Sequence, residues 1–282
     1  MIKRILVPLD PSPYTESAVL TACHYAKANH AEMTGLVILD IPGIERSIGP
    51  VPLGASAYAE HIEKQKMKEA EARIHALLAA FKKTCERQGV KHRESEYQGA
   101  PSASIVQASG WFDVVFMGLR TFYHFETRND PGDTLDQVLD HSATPIYGVP
   151  NLFIKPFNRL SKIKVLAAVD GSPPSTVSLK SFIGMISPEK IHLKLVTSNS
   201  DEGMAQQVLG NAEGYVRACG VGKIEKEWTP QNIIKAVDER YLSWADMIVV
   251  GAHSKKGLLD FMVGSLTKFV IKKAEKPVFI GQ

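Results

Sequence analysis

Near the C-terminal end, the apolar run "MIVVG" stops at Gly251, a polar loop follows, and Gly264-Ser265 then opens a segment of helical periodicity. A glycine at a strand end lets a backbone approach a ligand closely. A Gly-Ser helix start leaves first-turn N–H groups and the positive dipole end facing outward, where they favour an anion. Phosphate binding is the chemistry this arrangement suits. The Ser265 hydroxyl can cap the helix or donate to a phosphate oxygen, and His253, Lys255 and Lys256 bring positive charge from the loop. One charge at an exposed helix N-terminus is worth about 0.3–1 kcal/mol, so several donors must converge. The pattern Gly251-x2-Ser254-x9-Gly264-Ser265 is neither G-x-G-x-x-G nor G-x-x-x-x-G-K-[ST]. By itself the spacing leaves two options open, a phosphate seat and a purely structural helix start.

Other chemistry finds less support. Asp10 and Asp170 each end an apolar run and precede a Ser/Pro turn, which suits a ligand contact or an Asx-turn cap. The cap is the reading for Asp10 and the ligand role leads for Asp170. The nine histidines show no H-x-x-x-H or H-E-x-x-H spacing, and no G-x-S-x-G elbow presents a serine nucleophile. Cys23, Cys85 and Cys219 lie in apolar or helical stretches without a C-x-x-C pair, against disulfides and structural zinc and in keeping with a reducing cytoplasm.

The elements that must position these residues are written twice. "IKRILVPLDPSPYTESAVL" near the start corresponds to "KIKVLAAVDGSPPSTVSL", so that Asp10 matches Asp170 and Ser12 matches Ser172. "WFDVVFMG" corresponds to "WADMIVVG", and "TPIYGVP" to "KPVFIGQ". The repeating unit is a whole domain, too long for a solenoid repeat of about 20–50 residues. Strands are expected near 2–9, 33–40, 91–98, 113–118 and 144–149, then near 162–169, 191–198, 223–228, 246–251 and 277–281. Helices are expected near 14–29, 58–88, 101–110 and 132–141, then near 174–186, 201–219, 230–243 and 264–274. Strands alternating with helices, two of them almost wholly apolar, indicate a doubly wound α/β class with mainly parallel five-stranded sheets covered on both faces. The domains are expected at 1–152 and 161–282, with a linker at 153–160 marked by Pro156 and Asn158. In the first copy, "IPGIERSIGPVPLGASAYA" reads as a flexible cover, and the amphipathic segment after it, with Ile62, Ile74, Leu77, Leu78 and Phe81 at helical spacing, as a long helix offering a partner surface. Trp111 and Trp244 are expected to pack as core or edge aromatics.

Composition bounds the rest. The 282 residues, 44% of them hydrophobic, can bury two cores, and 33 basic against 30 acidic residues leave +3 with no cationic tail, which gives nucleic acid little support as a partner. No window approaches twenty apolar residues and the opening apolar run is too short for a signal peptide, so a soluble, cytoplasmic chain with no membrane association is expected.

The second-copy loop, the helix it enters, the Lys-Pro-Val strand beyond and "VLAAVDGSPPS" together resemble the universal stress protein family and its G-x2-G-x9-G-[ST] nucleotide loop, over nearly the whole chain as two tandem domains. The resemblance implies a Rossmann-like, adenine nucleotide alpha hydrolase-like fold that binds ATP or a related adenine nucleotide, with Mg2+ arriving on the phosphates. It places Asp170 near the adenosine and the backbone around Ser198 at the adenine edge. Val250, Gly251, His253, Ser254, Gly264, Ser265 and the Leu266 amide fall around ribose and phosphates. Ser254 stands where the family has its second glycine, and a Cβ there costs roughly 1 kcal/mol if φ is positive. The first copy departs further. It keeps Gly118, but Thr121 replaces the second glycine, Asp133 follows Gly132, and the loop is one residue longer. Asp133 can cap its helix but repels a phosphate, so the first copy is expected to bind a triphosphate poorly or not at all; Arg120, His124 and Arg128 read as a solvated loop.

The expected function is a tandem universal stress protein that uses a nucleotide in its second domain as a regulatory ligand, with slow hydrolysis at most. The alternative is a nucleotide-free interaction module recruiting a protein through a sheet edge or the long helix. A ligase or transferase would need an S-G-G-x-D-S-like loop, which "VDGSPPS" is not. The final strands of the copies are expected to join them into an intrachain pseudo-dimer, as a monomer or within a homodimer.

Overall fold

In the computed structural model, residues 2–52, 54–123, 133–151, 162–253 and 263–282 are described. The first domain runs β1 (Arg4–Pro8), α1 (Pro13–Asn29), β2 (Glu32–Leu39), α2 (Ile41–Ile48), α3 (Ser56–Gln88), β3 (His92–Gln98), α4 (Pro101–Ser109), β4 (Val114–Gly118), α5 (Thr134–His141) and β5 (Ile146–Val149). The second runs β6 (Ile163–Ala168), α6 (Pro173–Ile183), β7 (Ile191–Ser198), α7 (Glu202–Ala218), β8 (Lys223–Thr229), α8 (Ile233–Ala236), a π-helical turn (Val237–Tyr241), β9 (Met247–Gly251), α9 (Ser265–Lys273) and β10 (Val278–Gly281).

The strands are apolar on both faces because both are covered. Ile5, Val7, Val114 and Phe116 enter one core with residues of α1, α3, α6 and α7, while Leu6, Val115 and Met117 enter the other, with residues of α4, α5 and α9. Period-two alternation thus sorts apolar side chains between two layers. The strands form one ten-stranded sheet in the order β3-β2-β1-β4-β5-β10-β9-β6-β7-β8. Every pairing is parallel except β5 with β10, which run antiparallel with Tyr147 opposite Phe279. This is the pseudo-dimer within one chain, and its seam is buried. Tyr147 stacks on Phe116 at 4.5 Å, accepts from the Tyr25 hydroxyl at 3.3 Å and reaches Met247 Sδ of the other domain at 3.6 Å. Pairing consumes the β5 and β10 edges. The outermost strands, β3 (HRESEYQ) and β8 (KIEKEWT), carry charges that discourage edge association.

α3 buries Ala70, Ile74, Leu78, Phe81 and Cys85 at steps of three and four, and ends at Gly89 with φ 63°. Three expectations need correction. The stretch after Asp40 is not a loose cover, for α2 forms there. Pro42 lies at its start, the Asp40 carboxylate accepts from Gly43 N at 2.9 Å, Ile44 is buried, and Lys66 Nζ donates to Ser47 Oγ at 2.7 Å. Gly43 and Gly49 hide this helix from a propensity reading. The helix expected over 230–243 is instead a short α8 followed by the π-turn. Trp111 is 81% exposed, whereas Trp244 does pack, edge-on to His192 at 5.2 Å. The linker at 153–160 lies outside the described residues. Among those described, no helix is long and apolar enough to cross a membrane.

Candidate functional site

β6 and β9 are neighbours in the sheet, yet the chain leaves them in different directions, to β7 on one side and through α9 to β10 on the other. Such a divergence opens a crevice beyond the strand carboxyl ends. Asp170 follows β6 at its mouth. Its Oδ1 accepts from Ser172 N at 2.9 Å and from the hydroxyls of Ser172 and Ser175 at 2.5 and 2.7 Å. Ser172 is also the N-cap of α6, accepting from Ser175 N. The aspartate is thereby fixed against the first turn of α6.

Gly251 ends β9 beside the same turn. A Cβ on it would lie 2.7 Å from Ser175 N and 2.8 Å from the Pro174 carbonyl carbon. The sequence suggested a glycine that admits a ligand; the structure supplies a packing reason. The Gly251 carbonyl accepts from Thr267 Oγ1 at 2.8 Å, and Gly264 N donates to the Ala252 carbonyl at 2.8 Å. These two bonds dock the first turn of α9 against the end of β9. Gly264 is the N-cap with extended backbone, and Ser265, at the first helical position, is exposed and makes no side-chain cap. Leu266 is partly buried. Among the described residues the amides of Ser265 and Leu266 meet no acceptor.

The remaining candidates are spread more widely. Val250 is 2% exposed and its carbonyl accepts from Ser178 Oγ at 2.7 Å, so it faces the core and α6. Ser198 ends β7, one strand over from β6, with its hydroxyl on the Gln231 carbonyl at 2.7 Å. His253, partly buried, follows Ala252. Ser254, Lys255, Lys256, Gly132, His124 and Arg128 lie outside the described residues. The sequence reading passed over Ser175, Ser178 and Thr267. The first of these was visible in the repeat, since D-x-S-x-x-S at 170–175 matches D-x-S-x-x-T at 10–15.

The first domain answers differently at each point. Asp10 is 3% exposed. Its Oδ1 accepts from the Ser12 and Thr15 hydroxyls, and its Oδ2 from the amide of Phe122, whose own chain folds over it. Burial raises the Asp10 carboxyl above the ordinary aspartate range against the pull of these bonds. Tyr123 is buried beside it, its phenol driven up by burial and by the Asp10 charge. Asp133 is the N-cap of α5, but its carboxylate accepts from Gln137 Nε2 instead of capping a backbone amide. With Asp136 it puts two carboxylates where α9 carries Ser265 and Lys268. Burial raises Asp136 while Lys268 lowers it, so α5 and α9 interact across the seam with opposite charge.

Comparison with known proteins agrees with this architecture. The model of the universal stress protein family matches residues 1–150 and 163–280. Universal stress protein Slr1230 of Synechocystis is 24% identical over 292 residues, spanning 98% of this chain and 99% of its own. A universal stress protein of Archaeoglobus fulgidus superposes with a TM-score of 0.70 at 18% identity, over 99% of this chain and 96% of that one. The cytoplasmic domain of a prokaryotic cation chloride cotransporter shares the fold at a TM-score of 0.54 and 11% identity, covering 99% and 95%. With two matches in tandem spanning nearly all of its length, the chain belongs to the universal stress protein family.

Proposed function

We propose that the second domain, within 161–282, binds ATP or a related adenine nucleotide as a regulatory ligand in the cytoplasm, and that the first, within 1–152, binds it poorly or not at all. The observation that supports this most is the convergence of Asp170, Gly251 and the first turn of α9 on one crevice at the divergence of β6 and β9. In this reading Asp170 receives a ribose hydroxyl and the backbone near Ser198 meets the adenine edge. Gly251, His253 and Ser254 border the ribose and phosphates, and Val250 supports Gly251 from beneath with its carbonyl on Ser178. The amides of Ser265 and Leu266 and the Ser265 hydroxyl donate to phosphate oxygens, with Mg2+ held mainly by phosphates and water. Against binding in the first domain stand the Phe122 amide on Asp10 and the carboxylates of Asp133 and Asp136. Among the described residues no side chain beside Asp170 and Gly251 is arranged as a base for an attacking water, and the reading expects slow hydrolysis at most.

The test is to purify the protein without added nucleotide, denature it, and identify and count what is released by chromatography and mass spectrometry. ATP is then titrated into wild type, Gly264→Asp and Gly132→Ala. About one adenine nucleotide per chain is expected, lost in Gly264→Asp and kept in Gly132→Ala; equal effects of the two substitutions would refute the asymmetry.

A second reading, a nucleotide-free interaction module, is favoured by the fact that Gly251 and Gly264 both have roles that need no ligand. Its partner surface is the long α3, since β5 and β10 are already paired. No released nucleotide and no titration signal would select it.

A further inference from the structure

A cleft of about 600 Å3 lies between the domains, where the C-terminal ends of α1 and α6 approach the start of β6. Its size falls within the range of small-molecule sites, about 300–1,000 Å3. The two copies contribute positions 160 apart in the repeat, from the ends of α1 and α6 and the turns after them: His24 and Gly184, Tyr25 and Met185, Lys27 and Ser187, His30 and Lys190. The floor is apolar, with Tyr25, Ile163 and Met185 buried and Ile186 partly so. The rim is basic. Lys27, His30 and Lys190 are exposed, and among the described residues no aspartate or glutamate lines the cleft.

These basic groups are not matched by carboxylates. Lys27 Nζ donates to the neutral Gln88 carboxamide at 3.2 Å, and among the described residues no carboxylate pairs with Lys27, His30 or Lys190. Two helix C-termini close by would oppose an anion through their dipoles, but part of that exposed negative charge is taken up internally. Ala31 N donates to the Ala26 carbonyl at 2.9 Å, and Met185 N to the Phe182 carbonyl at 3.0 Å. Gly184 widens the cleft without a backbone reason for being glycine. It is right-handed helical at φ −68°, and a Cβ on it would meet nothing nearer than 3.5 Å. In the other copy the same position holds His24.

From the apolar floor, the basic rim without a paired carboxylate and the space left by Gly184, we infer that this cleft binds a small amphipathic anion. Its carboxylate, sulfonate or phosphate head is held among Lys27, His30 and Lys190, and its apolar body lies on Met185, Ile186 and Ile163.

The full chain is titrated with 1-anilinonaphthalene-8-sulfonate, an aromatic sulfonate whose fluorescence rises on apolar contact, and the bound probe is then challenged with decanoate, decanol and ATP. The expected result is saturation near one probe per chain, with displacement by decanoate but not by decanol or ATP. Combined Lys27→Glu and Lys190→Glu should weaken binding about tenfold or more at an unchanged melting temperature, as expected for two exposed charges whose loss is felt by the ligand alone. Gly184→Leu, which fills the cleft, should abolish binding, and if it impairs folding the surface lysine pair decides. Absence of saturable binding, no effect of the lysine reversal, or displacement by decanol as effective as by decanoate would overturn the proposal. Displacement by ATP would relocate the probe to the β6–β9 crevice and overturn it too. Because ATP binding is read separately, failure here leaves the nucleotide proposal standing, and the reverse holds.

Discussion

Gly251→Ala is a small change with a calculable consequence. Its Cβ would sit 2.7 Å from Ser175 N and 2.8 Å from the Pro174 carbonyl carbon, both of them backbone atoms of the first turn of α6. Ordinary contact begins near 3.4 Å, so the helix turn or the end of β9 must yield by roughly 0.7 Å, as in an overpacked core, which costs about 1–3 kcal/mol. Ser175 also holds Asp170 through its hydroxyl at 2.7 Å, and the Gly251 carbonyl holds α9 through Thr267. The strain is therefore delivered to both sides of the crevice. Gly118→Ala is the matched control. It ends β4 at the equivalent place, and its Cβ would meet Tyr14 Cβ at 2.5 Å and the Arg120 carbonyl at 2.9 Å. Thermal unfolding should show both variants several degrees less stable, while isothermal titration with ATP should show affinity falling at least tenfold in Gly251→Ala only. An unchanged melting temperature for Gly251→Ala would refute the packing argument. Equal losses of ATP affinity in the two variants would refute the assignment of the nucleotide to the second domain.

Other perturbations test the supports of the site and the frame. Asp170→Ala should lower ATP affinity about tenfold, since a charge-assisted hydrogen bond contributes about 1.5–3 kcal/mol; Asp10→Ala, beneath Phe122, should alter stability and leave the titration unchanged. Ser178→Ala should cost about 1 kcal/mol in denaturant unfolding, because Ser178 Oγ donates to the Val250 carbonyl at 2.7 Å and accepts from Gly281 N at 3.0 Å, two buried bonds that alanine cannot make. Lys194, whose side chain is 11% exposed, pairs with Glu225 at 3.0 Å and with Glu227, and lies 4.9 Å from the Trp244 ring centre. Its ammonium, aided by His192 and opposed by burial, holds the Glu225 carboxyl below the ordinary glutamate range. A depressed carboxylate stabilises the fold above its unfolded pKa and loses that contribution as pH falls through its folded one. Lys194→Met should therefore cost about 2 kcal/mol at neutral pH, and the gap from wild type should narrow below about pH 4; a gap constant with pH would show that the lost interaction is packing.

The joining of the copies has a chemical logic. α5 and its N-cap carry Asp133, Asp136 and Asp140 where α9 carries Ser265, Lys268 and Lys272. A first domain set against another first domain would bring acid against acid, whereas the chain's own second domain brings lysine. The carboxylates of α5 thus suit it to the partner domain, where Lys268 faces Asp136.

What the sequence determined by itself is what local order controls. Alternating apolar residues on strands covered from both faces, and the twofold writing of strand, Ser/Pro turn and helix, made the doubly wound class and the two copies legible. The positions of Asp170, Gly251 and Gly264 at the ends of β6 and β9 and the start of α9 were legible as well, because in a parallel sheet the residues just after each strand necessarily share one edge. What only the tertiary structure decided depends on residues distant in the chain. Gly251 abuts Ser175 across 76 positions, a contact that no periodicity encodes. Phe122 closes over Asp10 from 112 residues away. The antiparallel meeting of β5 and β10, and the basic cleft between α1 and α6, exist only once two domains pack. Trp111 and the helix after Asp40 were misjudged for the same reason. Residue type gives a preference for burial or for helix, but the surrounding packing and the caps that a fold provides determine whether that preference is met.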